Sequence, residues 1–306
     1  MSKIEKLAAL IQMNFADTVV HLNEDMKKHT TFKTGGNADC LIEPGNMPEL
    51  QQLIGYILKE NIPFMVIGQG SNIIVSDKGL RGVVIKLGKR LSRCTVHNEI
   101  LEAEAGALLT DVAEVAQENG LSGLEFACGI PGSIGGGVFM NAGAYGGEIK
   151  NVVHAILVLT REGKFLSREA EDLALGYRTS IMQTNGDIVL GATFKLVKGH
   201  KDVIKQTMDE LNHKREQSQP LALPSAGSVF KRPAGYYTGK LIEESNLKGY
   251  QIGGAQVSTQ HAGFIVNVGQ ASTSDIQALI RHIQYEVKRR FGVNLETEVR
   301  FVGEFD

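Results

Sequence analysis

The 306-residue chain carries 32 basic and 34 acidic side chains, a formal net charge of -2. No global field therefore draws it to nucleic acid or to an anionic membrane, and any anionic ligand has to be met by a local cluster. Its length exceeds the ~250 residues at which single cores usually stop growing, which predicts about two domains, and its three cysteines, Cys40, Cys94 and Cys128, are odd in number, widely spaced and read as reduced thiols rather than a disulfide framework or zinc site.

The opening "MSKIEKLAALIQMNF" carries charges inside its apolar pattern and predicts an amphipathic helix, not a secretory signal. "ADCLIEP" predicts a short strand stopped by Pro44, and "MPELQQLIGYILKEN" repeats apolar residues at helical spacing. "IPFMVIGQGSNIIVSDKGLRGVVIKL" contains three β-rich runs split by glycine turns, so the opening has a β-α-β rhythm. "CTVHNEILEAEAGA" alternates as a hairpin, "LLTDVAEVAQENG" is helical, and strands follow around "HAILVLTREGKFLSRE" and "DIVLGATFKLVKG". Beyond about residue 200 the pattern turns to helices, "KDVIKQTMDELNHKREQ", "TGKLIEESN" and "STSDIQALIRHIQYEVKRRFG", around short strands in "AGFIVNVG" and "LETEVRFVG". The expected organisation is an N-terminal helical segment over 1–30, a mixed α/β domain over 31–200 and a smaller α+β domain over 201–306. No uninterrupted apolar stretch of about 18 residues spans a bilayer, and the expectation is a soluble cytoplasmic protein.

Five places could carry chemistry. The turn "VIGQGSN" sets Gly68, Gln69, Gly70, Ser71 and Asn72 at the tip of an apolar strand, where consecutive main-chain N–H groups could cradle an anion such as a pyrophosphate; a plain hairpin-like connection explains it as well. It is not G-x-G-x-x-G and no helix follows at once, so the Rossmann fingerprint fails. "FACGIPGSIGGGVFMNAGAYGGE" holds eight glycines yet keeps Phe126, Ile130, Val138 and Phe139 between them. That composition argues against a solvated linker and points to a packed loop pressed on a ligand, or to a tightly turned β-loop with none. In "PSAGSVFKRP", Ser228 stands unshielded after Gly227, with Lys231 and Arg232 beside it and Lys214 and Arg215 shortly before. These cations could bind a diphosphate and a carboxylate, or be a solvated helix end and a surface turn. G-x-S-x-G is absent, so Ser228 does not read as a hydrolase nucleophile. "GYRTS" and "LETEV" supply Tyr177, Arg178 and the alternating Glu296 and Glu298, two carboxylates on one side of a terminal strand and by default a polar surface. His97, His154, His213 and His261 lack metal-ligand spacing, and no metal is expected.

Taken in order and spacing, "VIGQGSNIIVSDKGLRGVVI", "IPGSIGGGVFMNAGAYGGE", "GYRTS", "GSVFKRP" and "LETEV" resemble the UDP-N-acetylenolpyruvoylglucosamine reductase family of bacterial peptidoglycan synthesis, over residues 30 to 303. The resemblance implies an α+β chain: a vanillyl-alcohol-oxidase-type (PCMH-type) FAD-binding fold with a smaller C-terminal substrate domain. It implies tightly bound FAD and NADPH as hydride donor, with Arg178 and Glu298 stabilising an enolic intermediate and Ser228 donating a proton. It places Gly68, Gln69, Gly70, Ser71, Asn72, Gly129, Pro131, Ser133, Gly135, Gly136, Asn141, Ala142, Gly143 and Tyr145 against the cofactor, and Tyr177, Arg215, Lys231 and Arg232 against the UDP-sugar. The chain is compact where some members carry a substrate-covering insertion, so it resembles the shorter subtype. Gln69 stands where glycine is common and Thr297 where proline is common. A monomer is the default expectation. Two rivals remain at this stage: another FAD oxidoreductase of the same fold acting on a small alcohol or lactone, and a nucleotide-sugar-binding module without catalysis.

Overall fold

The computed structural model describes residues 1–305. The chain divides into two compact units: residues 1–22, 40–69 and 82–215 form the first, and residues 23–39, 70–81 and 216–306 the second.

In the first unit, α1 (Lys3–Asn14) opens on a capping box, in which the Ser2 hydroxyl accepts from Glu5 N–H and the Glu5 carboxylate from Ser2 N–H. It buries Leu7, Ala8 and Ile11, the stripe its periodicity predicts. Helix α2 (Met47–Lys59) is capped by Asn46 and buries Leu50, Leu53, Ile54 and Ile57. These side chains meet Cys40, Ile42, Val83 and Ile85 in one core. The four-stranded sheet runs Val19–Asp25, Asn37–Glu43, Leu80–Lys86, Phe64–Ile67, the last two parallel. Helix α3 (Leu109–Glu118) packs into a second core under an antiparallel five-stranded sheet in the order Phe165–Glu169, Val153–Leu159, Ile188–Lys195, Ile100–Glu104, Cys94–His97. The glycine-rich stretch contains a short helix, α4 (Ile134–Phe139), that the sequence does not announce, because three of its six residues are glycines with no helical preference. Two more helices complete the unit, α5 (Met182–Asn185) and α6 (Lys201–Ser218).

In the second unit, α7 (Thr238–Glu244) and α8 (Thr273–Phe291) bury Leu241, Ile242, Ile276, Leu279, Ile280 and Ile283 against the strands Ala255–Val257 and Ile265–Asn267. Ile73–Val75 pairs in parallel with Arg300–Val302. The Asp77 carboxylate accepts from the N–H groups of Thr273 and Ser274 at 2.8 and 2.9 Å, capping α8 from outside its own segment.

The compact units differ from the limits expected from sequence in three segments. Residues 23–39 and 70–81 belong with the C-terminal segment, because Phe32 and Ile74 are buried in its core and the Ile-Ile-Val strand finds its partner more than 200 residues away. Helix α6, expected to open the second domain, instead buries Ile204 and Met208 in the first unit. The terminal strand is shorter than "LETEVRFVG" suggests: only Arg300–Val302 is regular, and Thr297 is attached by an isolated bridge to Phe230.

Candidate functional site

In the first unit the glycines of residues 126–148 divide by what lies beside them. A side chain at Gly135 would press on Ala105, one at Gly137 on Leu109, one at Gly147 would enter the Phe126 ring, and one at Gly129 would meet Arg215 and Asn212. Those glycines let the loop pack on the protein itself. Gly136 differs, since its open side faces only the Ser133 hydroxyl, at 3.9 Å. Gly68, from the first glycine turn, reaches the same hydroxyl. Ser133 is 1% exposed, sits at the N-cap of α4 without a capping bond, and its Oγ has no hydrogen-bond partner. A buried unsatisfied hydroxyl costs about 1–3 kcal/mol, so a donor left bare in this position is suited to a ligand.

Asn141 is held otherwise. Its amide donates to Glu148 Oε2 at 2.8 Å and to the Gly176 carbonyl at 2.9 Å, and its oxygen accepts from Lys150 N–H at 2.9 Å. With its polar atoms turned to the protein, it ties the glycine loop to the segment carrying Tyr177 and Arg178. Asn141 (φ 44°), Tyr145 (φ 52°) and Arg178 (φ 56°) all hold left-handed backbone, a strain that collects at functional sites. The Arg178 guanidinium donates to the Gly143 carbonyl at 3.2 Å and lies 5.3 Å from the Tyr177 ring centre. A fixed cation thus stands against the glycine loop.

Arg215 is 8% exposed and its guanidinium lies 5.7 Å from the Tyr145 ring centre, beside Gly129. Burial pushes its pKa below the ordinary value, partly offset by Tyr145 and Cys128. Cys128 is buried under α6, its thiol 3.2 Å from Asn212 Oδ1, and burial pushes its pKa up, against the pull of Arg215. The arginine expected from sequence beside Ser228 therefore belongs to the compact unit of the glycine loop.

In the second unit, Gly70 (φ 65°) closes on the loop before it: a side chain there would strike the His29 carbonyl, and Thr31 N–H donates to Gly70 O at 3.3 Å. The Asn72 amide donates to the Glu298 carbonyl at 3.2 Å, while Arg300 N–H donates to Asn72 O at 3.0 Å. The turn and the strand bearing Glu298 are therefore one piece. Glu298 and Val299 both direct their N–H groups at Val229 O, at 2.8 and 3.4 Å. That bend breaks the strict alternation expected of Glu296 and Glu298: Glu296 is exposed and paired with Lys231 at 3.3 Å, whereas Glu298 is half-buried.

Ser228 follows Gly227 (φ 74°), is bridged to Phe264, and its hydroxyl donates to the Phe230 carbonyl at a long 3.3 Å. Phe230, 2% exposed, anchors the loop as its sequence context suggests. Arg232 donates to the Tyr236 carbonyl at 3.2 Å, with its guanidinium 3.9 Å from the Tyr237 ring centre. His261 is close by: its Nδ1 accepts from Gly263 N–H at 3.1 Å, and burial lowers its pKa. Nothing in its sequence neighbourhood marks it, since the link to Ser228 runs through the Phe264 pairing. Among the described residues, no three His, Cys, Asp or Glu side chains form a metal-binding group, and no helix is long and apolar enough to cross a membrane.

Residues 38–167 match the family described as an FAD binding domain, and residues 219–302 match the UDP-N-acetylenolpyruvoylglucosamine reductase C-terminal domain. The chain is 47% identical over 300 residues to a UDP-N-acetylenolpyruvoylglucosamine reductase of Exiguobacterium sibiricum, covering 98% of each chain. It is 51% identical over 285 residues to that of Oceanobacillus iheyensis, covering 93% of this chain and 92% of the relative. The crystal structure of the corresponding reductase from Thermus caldophilus superposes with a TM-score of 0.79 at 36% identity, covering 93% of this chain and 98% of that one.

Proposed function

The chain belongs to the UDP-N-acetylenolpyruvoylglucosamine reductase family, and from that premise we propose that it is an NADPH-dependent, FAD-containing oxidoreductase that converts UDP-N-acetylenolpyruvoylglucosamine to UDP-N-acetylmuramate for peptidoglycan synthesis. When bound, FAD supplies the hydride relay from NADPH to the enolpyruvyl methylene carbon. The net change is one hydride to that carbon and one solvent-derived proton to its neighbour, with NADPH oxidised to NADP+.

The residues present fit the flavin. The buried, partnerless Ser133 hydroxyl between Gly68 and Gly136 is a donor prepared for a group that the protein does not itself provide. We assign cofactor contacts to Gly68, Gln69, Gly70, Ser71, Asn72, Pro131, Ser133, Gly136, Ala142, Gly143 and Tyr145, and main-chain contacts alone to Gly129 and Gly135, whose missing side chains let the loop pack on the protein. Asn141 contributes by holding the loop, its amide being engaged with Glu148 and Gly176.

The observation that carries the catalytic reading is the bond between the Arg178 guanidinium and the Gly143 carbonyl of the glycine loop. Hydride addition leaves negative charge spread onto the substrate carboxylate, and a guanidinium fixed beforehand binds that state more tightly than the ground state. Ser228 is the proton donor: a hydroxyl is a weak acid, but the carbon it quenches is strongly basic, and the 3.3 Å bond to Phe230 is long enough to be surrendered. Glu298 accepts a hydrogen bond from the protonated carboxylate oxygen of the enolic intermediate, its backbone steadied by Asn72. Tyr177, Arg215, Lys231 and Arg232 are assigned to the UDP-sugar, the arginines matching its diphosphate by their fork of donors. Residues 31–200 then serve chiefly FAD and residues 201–306 the sugar. The reading includes action in the cytoplasm as a monomer and, through precursor supply, a part in wall biogenesis, cell shape and division.

The test is direct. Purified protein is expected to be yellow and to release FAD on denaturation. Colourless protein that FAD does not reconstitute would contradict the proposal, and flavin reoxidised by oxygen but indifferent to the sugar would favour an oxidase of a small alcohol or lactone.

A further inference from the structure

Gln183 lies half-buried in α5, and its amide nitrogen is bonded to two carbonyls, Phe139 O at 2.9 Å and Arg178 O at 3.1 Å. A carboxamide has two N–H donors, so each carbonyl takes one. The first carbonyl belongs to the last residue of α4, and the second to the arginine assigned to the reaction.

Arg178 keeps a left-handed backbone, φ 56°, which a residue bearing a Cβ holds only where its surroundings enforce it. Several bonds surround that turn. Gly176 and Thr179 bond each other's main chain at 3.1 and 3.2 Å, Asn141 donates to Gly176 O, and the Ser180 hydroxyl donates to Phe139 O at 2.7 Å. Of these bonds it is the Gln183 one that takes the Arg178 carbonyl, and it does so while gripping the helix from which the glycine loop continues.

We infer that Gln183 is a positioning residue for Arg178. Its amide locks the left-handed peptide to the end of α4, and this lock sends the guanidinium to Gly143 and fixes where the cation stands when the substrate carboxylate gains charge. Without the two donors the peptide relaxes toward right-handed backbone and the guanidinium leaves the loop. The inference rests on the role given to Arg178 under the proposed function, and it affects one half-reaction only. Reduction by NADPH does not use Arg178, whereas reoxidation by the sugar does.

The holoenzyme is compared with Q183M, which keeps the length of the side chain without N–H groups, and Q183K, whose ammonium donates to both carbonyls. Each half-reaction is followed by anaerobic stopped flow, FAD affinity by flavin fluorescence and folding by thermal denaturation. For Q183M, reoxidation by the UDP-enolpyruvyl sugar is expected to slow about tenfold to a hundredfold, the scale of a displaced catalytic group, with reduction by NADPH and FAD affinity unchanged. Q183K is expected to stay close to wild type in all three. Q183M reoxidising at the wild-type rate would overturn the inference, as would a parallel loss of both half-reactions and of FAD affinity, which marks a merely structural residue. If Q183M does not fold, Q183K decides: normal reoxidation supports the donor role and a selective loss refutes it. Failure of wild-type protein to be reoxidised by the sugar would instead refute the proposed function.

Discussion

Replacing Ser133 by alanine removes one oxygen atom and should move two quantities in opposite directions. The hydroxyl is 1% exposed, makes no capping bond to α4 and has no partner, so the protein without flavin carries a desolvated donor. Relief of such a group is worth up to about 1 kcal/mol once the small cavity left by alanine is subtracted. For a unit of this size that raises the apoprotein Tm by about 2–4 °C. With FAD bound, the same hydroxyl gains its bond, so its removal should weaken the cofactor by about 1.4 kcal/mol, or tenfold in Kd. The assay is thermal denaturation of flavin-free protein together with fluorescence titration of FAD. A lowered apoprotein Tm would show that the hydroxyl already has a partner, and an unchanged Kd would show that FAD does not use it. Either result refutes the reasoning.

Ser228→Ala should leave flavin reduction by NADPH intact and lower turnover with the sugar by about 10²-fold or more, the usual range for a lost general acid; near wild-type turnover would remove Ser228 from that role. Asp77→Asn should lower stability by about 1 kcal/mol at pH 7, since the carboxylate caps α8 through Thr273 and Ser274. Burial raises the Asp77 pKa, but those bonds outweigh it and the net shift is downward. The carboxylate's contribution is therefore complete above its unfolded pKa of about 3.9 and lost as pH falls through the lower folded value. Chemical denaturation of wild type and variant should show a gap that closes in acid, and a gap independent of pH would contradict the cap. Gly135→Val should destabilise the first unit, because the added side chain meets Ala105; unchanged thermal stability would mean that α4 is free to move off the sheet.

Helices α1, α2, α3, α6, α7 and α8 proved legible from sequence, because each repeats its apolar residues at helical spacing. What was not legible depends on distant partners. Ile73–Val75 looks like the middle of a local sheet, and only Arg300–Val302 explains why residues 70–81 join the C-terminal segment. Composition located the glycine loop but did not separate Gly135 and Gly147, which serve the protein's own packing, from Gly136, which faces the bare serine. Arg178, Ser228 and Glu298 could be picked out because the resemblance reaches them. Asn141 and Gln183 act through hydrogen bonds across 35 and 44 residues, and no local pattern encodes such a bond.

The proposed transfer carries hydride from NADPH through bound FAD to an enolpyruvyl UDP-sugar. Under anaerobic conditions NADPH should bleach the visible flavin band, and adding UDP-N-acetylenolpyruvoylglucosamine should restore it while UDP-N-acetylmuramate appears in equal amount to the flavin reoxidised. Bleached flavin that stays reduced in the presence of the sugar, and regains colour only with oxygen, would contradict the account.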